Sequence, residues 1–149
     1  MTEQVMVAKR VSAPQLAAML RDAITRLNRR VRQTRPVGDL TVTQLSALTT
    51  LQLAGAMTPR ELADTERVRP PTMTKIVARL EERGLVQRTP HPTDGRQVIL
   101  SVTPAGQEVH GHIERARKEW LANRLAQLSV DDRETLRRAA ELLRWVAEA

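Results

Sequence analysis

Residues 67–84 read RVRPPTMTKIVARLEERG, and the fold turns on how they are read. A residue that precedes proline avoids helical angles. The stretch therefore predicts Pro70 outside a helix and Pro71 at its first position. From there Met73, Ile76, Val77 and Leu80 recur at helical spacing on one face, and Thr72, Lys75 and Arg79 share the other. Gly84 stops the run. The expected product is a helix of about three to four turns with a dry face, a basic face and a pinned entry. Arg67, Arg69, Lys75 and Arg79 belong to this stretch, and no acid lies between the first and the last.

Toward the N-terminus the chain is punctuated by caps. In TPRELAD (58–64), Thr58 caps, Pro59 takes the first helical position and Glu61 closes a capping box. That helix must be short, because the double proline follows closely. Thr41 and Gln44 open an earlier helix through Leu45, Leu48 and Leu51, ended by Gly55. Ser12 and Pro14 open a long first helix. Its Leu16, Leu20, Ile24, Leu27 and Val31 form one apolar stripe that ends before Pro36 and Gly38, with Arg26, Arg29, Arg30 and Arg32 on the later turns. Residues 1–11 read as a loose arm.

Toward the C-terminus the period changes. LVQRT and QVILSVT are strand-like, and PHPTDGR between them is dense in turn formers, so a β-hairpin is expected. Thr103 and Pro104 then start a helix carrying Val109, Ile113, Ala116, Trp120, Leu121, Leu125 and Leu128. Ser129 with Asp132 starts a last one, carrying Leu136, Leu142, Leu143, Trp145 and Val146.

Composition narrows the classes of function. The 149 residues are 41% hydrophobic with no Tyr or Phe, so aliphatic side chains must build the core. No cysteine is present, which excludes disulfides, thiolate zinc sites and thiol redox sensing. The net charge of +7 favours anionic partners, although all but three of the 24 basic residues are arginine. The excess is local: residues 1–36 carry eight basic and two acidic residues, residues 97–149 eight of each.

Nothing resembles a Gly-rich phosphate loop or a nucleophile with its base, so the chain does not read as an enzyme and no cofactor is expected. His110 and His112 are two apart and face different sides of a helix; both are expected on the surface or at an interface, with no metal site. Met19, Met57 and Met73 read as core fillers. Trp120 and Trp145 read as packing in the core or an interface, or as lining of a ligand pocket. No stretch approaches the roughly 20 apolar residues of a membrane span, and the N-terminus lacks a signal-peptide core, so a cytoplasmic protein without membrane contact is expected.

The order of elements makes the fold class mainly α with a small β-hairpin wing. A short helix, a tight turn and a second helix with one polar face form a helix-turn-helix, and the hairpin makes it winged. The lobe spans 40–103, and 12–36 with 104–149 form a separate helical region. A basic helix face suits a major groove about 12 Å wide. At the tip of the hairpin, Arg96 can probe a narrow minor groove, and Asp94 can orient the guanidinium of Arg88 or Arg96.

One stretch carries a resemblance. RGLVQRTPHPTDGRQVILSVTPAG (83–106) is similar to the wing signature of the MarR family of bacterial transcription regulators, which runs G-L-V/I-x-R, D-x-R, a short aliphatic strand and L-T-x-x-G. It stands here as Gly84-Leu85-Val86-Gln87-Arg88, Asp94-Gly95-Arg96 and Val102-Thr103-Pro104-Ala105-Gly106, with Val102 in place of the usual Leu.

The resemblance implies a homodimer that reads a pseudo-palindromic operator in double-stranded DNA. It also implies repression relieved by a small, often aromatic or lipophilic, effector bound between winged lobe and dimer helices. On this reading Arg69, Pro70, Pro71, Thr72, Thr74, Lys75 and Arg79 of the recognition helix face DNA, as do Arg88, His91, Thr93, Asp94 and Arg96 of the wing. Arg67 joins Arg69 as a phosphate contact. Leu16, Leu20, Trp120, Leu121, Leu125, Leu136, Leu143 and Val146 would form the dimer interface. The alternative is an architectural winged-helix protein that binds DNA without an effector.

Overall fold

The computed structural model describes residues 10–34 and 40–149. Most of the expected arm, together with Pro36 and Gly38, lies outside the described residues. Among the described residues six helices and two strands follow one another: α1 (Ala13–Gln33), α2 (Val42–Ala54), α3 (Pro59–Glu66), α4 (Pro70–Glu82), β1 (Val86–Pro90), β2 (Val98–Val102), α5 (Pro104–Leu125) and α6 (Val130–Glu148). This is the mainly helical, winged helix-turn-helix architecture that the sequence predicts. The chain divides into two compact units at Thr34 and Arg35.

In the first unit, α1 starts at a capping box in which Ser12 and Gln15 satisfy each other's backbone donors. None of its residues is buried. Met19 is 62% exposed, so it is not a core filler; Leu16, Ile24 and Leu27 of the same helix are exposed too.

In the second unit, α2, α3 and α4 pack around Leu48, Leu62, Met73, Val77 and Leu80, and Leu100 of β2 completes the core. α4 supplies Met73, Ile76, Val77 and Leu80 to it, the four residues its periodicity assigns to the dry face. β1 and β2 pair antiparallel from Val86↔Val102 to Pro90↔Val98. Met57 is half-buried against this core and also exchanges two backbone hydrogen bonds with Leu100, at 3.1 and 2.8 Å. One residue thus acts as a third strand, too short a signal to read in the sequence.

Pro70 corrects the sequence reading. It is the first residue of α4, with Arg69 as the N-cap at φ −68° and ψ 143°. The pre-proline bias is a preference that tertiary packing can override, and the first two helical positions need no N–H. At the other end Gly84 adopts φ 69°. Its N–H donates to Glu81 O at 2.8 Å and that of Leu85 to Leu80 O at 2.9 Å, the paired bonds of a Schellman motif.

α5 is locked to this turn. Thr103 N–H donates to Leu85 O at 3.0 Å, and its hydroxyl donates to Gly84 O at 2.5 Å while accepting the N–H of Gly106 at 3.1 Å. A Cβ at Gly106 would lie 2.2 Å from the Leu85 carbonyl oxygen. The two halves of the wing signature, distant in sequence, thus meet at one point.

His110 also departs from expectation. It is buried, at 9% exposure, because it follows Gly106 by four residues and precedes Ile113 by three, in phase with the core face of α5. Its Nε2 finds no hydrogen-bond partner among the described residues. α6 has no buried residue.

Candidate nucleic-acid interface

The helix-turn-helix turn is Arg67–Arg69. α3 ends with Arg67 at φ 53°, the one non-glycine residue with positive φ among those described. The N–H groups of Arg67 and Val68 close onto Asp64 O and Ala63 O, so a left-handed residue is required here.

α4 then begins without a side-chain cap. The reason lies in its first turn. Pro70 and Pro71 have no N–H, and those of Thr72 and Met73 both donate to Arg69 O, at 2.9 and 3.0 Å. From Pro70 to Met73 no backbone donor is left over to hold a phosphate, which helix N-termini commonly do. Anion binding along this first turn falls to side chains.

Those side chains are in place. Arg69, Pro70, Pro71, Thr72, Thr74, Lys75 and Arg79 are all exposed. Arg67, Arg69 and Lys75 make no ion pair with any described acid. Arg79 pairs with Glu82 at 3.0 Å, and both are solvated, so that pair is weak and easily exchanged. The Thr74 hydroxyl donates back to Pro70 O at 3.0 Å, which leaves its oxygen free only as an acceptor.

The wing tip is built on His91 and Asp94. His91 Nδ1 accepts the N–H groups of Thr93 and Asp94, at 3.2 and 3.1 Å. Its neutral tautomer accordingly carries the proton on Nε2. Asp94 holds the guanidinium of neither Arg88 nor Arg96, contrary to expectation. Its carboxylate accepts the backbone N–H of Arg96 at 3.1 Å and the side-chain amide of Gln97 at 3.2 Å, so it shapes the turn. Arg96 is exposed and without an acid partner among the described residues. Arg88 is engaged elsewhere: its Nε donates to Glu81 of α4. A cleft of about 580 Å³ lies between the start of α3, lined by Thr58–Glu61 and Asp64, and Arg96–Val98 of the wing.

The residues assigned to the dimer interface are apolar and incompletely covered. Leu16, Leu136 and Val146 are exposed; Leu20, Trp120, Leu121, Leu125 and Leu143 are half-buried. The Arg124 guanidinium stands 5.6 Å from the centre of the Trp120 ring. Trp145 is 69% exposed and is not core. No group of three potential metal ligands occurs among the described residues.

A three-helix lobe around an aliphatic core, a basic helix face held outward and an arginine-tipped hairpin define a winged helix-turn-helix DNA-binding protein. The MarR family model matches residues 40–98. An HTH-type transcriptional regulator of Mycobacterium bovis is 51% identical over 132 residues, 89% of this chain and 92% of its own. The crystal structure of transcriptional regulator Tm0710 from Thermotoga maritima superimposes with a TM-score of 0.79 at 26% identity, covering 89% of this chain and 94% of its own. An oligodeoxyribonucleotide-bound MepR mutant of S. aureus shares the fold at a TM-score of 0.67 and 19% identity, over 89% and 96% of the two chains. The chain belongs to the MarR family: it is a DNA-binding transcriptional regulator and not an enzyme. None of the described helices is long and apolar enough to cross a membrane.

Proposed function

We propose that two copies of the chain pair through α1, α5 and α6 and repress transcription from a pseudo-palindromic operator. A small aromatic or lipophilic effector would release them. Two features support this reading. Lys75 on the outward face of α4 and Arg69 at its N-cap make no ion pair with a described acid, and the apolar side of α6 is bare, with Leu142 66%, Trp145 69% and Val146 62% exposed. Side chains of that size rarely stand uncovered together on a monomer. Two-fold pairing would set the two α4 helices about one DNA turn apart, which matches half-sites of a palindrome. An effector seated between lobe and dimer helices would change that spacing, and so couple to DNA affinity. The site of action would be the cytoplasm.

The test is binding to the duplex from the gene's own upstream intergenic region, titrated across salt, with unrelated DNA as control. Sedimentation equilibrium runs in parallel. A steep salt slope, a clear preference for the upstream duplex and a dimer mass support the proposal. Equal, weak binding to both duplexes would favour an architectural protein that needs no effector. A monomer at micromolar concentration would remove the palindrome.

A further inference from the structure

The wing signature puts Arg88 on the DNA, yet its guanidinium bonds to Glu81. Strand alternation explains why. Val86 is buried, and Arg88 is two residues along the same face of β1, so it continues the core side of the hairpin toward the last turn of α4. The pair is partly shielded, with the Arg88 side chain 41% and that of Glu81 28% exposed. It bridges the Gly84 turn, where the recognition helix passes into the wing. Gly84 and Leu85 fix the backbone of that joint, and the ion pair is a second brace farther along the hairpin. The tip at Arg96 stands on the order of 10 Å beyond the brace, judged from the rise of a strand. A tilt of about 10° there would move the Arg96 guanidinium by roughly 2 Å, beyond the tolerance of a hydrogen bond.

We propose that Glu81 and Arg88 are a strut that sets the angle between wing and recognition helix. Both are positioning residues, and Arg88 acts on DNA through the placement of Arg96. This rests on the reading that α4 and the wing touch the same duplex.

The two roles open to Arg88 predict opposite signs. Removing an acid near DNA relieves repulsion, and freeing a contacting arginine from its competitor helps it. Removing half of a strut hurts. The probe is a duplex that the wild-type protein selects from a random-sequence pool. Glu81→Gln is expected to lower affinity about two- to fivefold, the range a partly exposed ion pair supports. Hydroxyl-radical protection should fade in the minor groove beside the wing and persist in the major groove, with the salt slope unchanged. Arg88→Gln should do the same, and the double variant should lose no more than either single.

Equal or tighter binding by Glu81→Gln, with a salt slope reduced by about 0.9 in Arg88→Gln, would make Arg88 a phosphate contact and overturn the strut. So would uniform loss of protection together with a lowered urea midpoint, which would mark a merely structural pair. If the wild type selects no sequence from the pool, the DNA-reading geometry itself fails, before any variant is made.

Discussion

The two ends of α4 are built on opposite terms. At its C-terminus the backbone stops by local rules. Glycine occupies the left-handed position, a Schellman pair closes the carbonyls, and Thr103 and Gly106 clamp the turn from α5. At its N-terminus local preferences are set aside. The five other helices start at Ser or Thr caps: Ser12, Thr41, Thr58, Thr103 and Ser129. α4 starts at Arg69, which places a cation at the positive end of the helix dipole. Two residues earlier Arg67 sits in a left-handed conformation, whereas glycine fills the other two positive-φ positions among the described residues, Gly55 and Gly84. The closed end holds the helix in its lobe. The open end spends stability on exposed positive charge, the pattern expected where a fold presents a ligand-facing surface.

The largest effect should come from the closed end. Gly106→Ala places a Cβ against the Leu85 carbonyl oxygen, a backbone atom that cannot swing away. It is expected to cost about 1–3 kcal/mol in a urea melt, as overpacked cores do. A wild-type midpoint would mean that α5 can slide off the turn. Thr103→Val keeps the shape but loses the hydroxyl that serves both Gly84 O and Gly106 N–H. It should cost about 1–2 kcal/mol, mostly through the missing cap. The prediction fails if alanine and valine at 103 melt with the wild type.

Legibility in the sequence differs between the same two ends. Helical phase places Met73, Ile76, Val77 and Leu80 correctly, because burial against a lobe imposes a 3.6-residue period that one sequence displays. Caps announce themselves for the same reason: they are local. Pro70 is misplaced by its sequence because the angle before a proline is a bias that packing can overrule. The partner of Arg88 is not legible, since Glu81 is seven residues away across a turn and several acids are equally near in sequence. His110 gives a signal that its polarity masks, being in phase with Gly106 and Ile113. The wing signature is visible as a pattern, but that Thr103 grips Gly84 and that Gly106 admits no Cβ needs coordinates.

A smaller effect, with a change of sign, is expected at the open end. Arg67→Gly relieves a left-handed arginine and should raise stability by roughly 0.5–1 kcal/mol, after the greater freedom glycine gains in the unfolded chain is discounted. The same substitution should weaken binding to the selected duplex and lower the salt slope by about 0.9, the share of a single phosphate neutralised by one side chain. A gain in stability with unchanged affinity would mean that Arg67 is tolerated there and not used.

The smallest change in stability is expected from Arg69→Ser. Serine is among the best N-caps, and replacing a non-capping residue with it ordinarily gains about 1 kcal/mol. Here Pro70 and Pro71 offer nothing to cap, and the Thr72 N–H already donates to the carbonyl of residue 69. The gain should therefore stay within about 0.5 kcal/mol, part of it from removing a cation at the positive helix end. DNA affinity should fall across sequences alike, as for a side chain that binds phosphate. A full capping gain would show that the first turn of α4 is not closed by its own backbone. The double proline would then be a simple start signal, and Arg69 would no longer stand free of capping duty to reach the DNA.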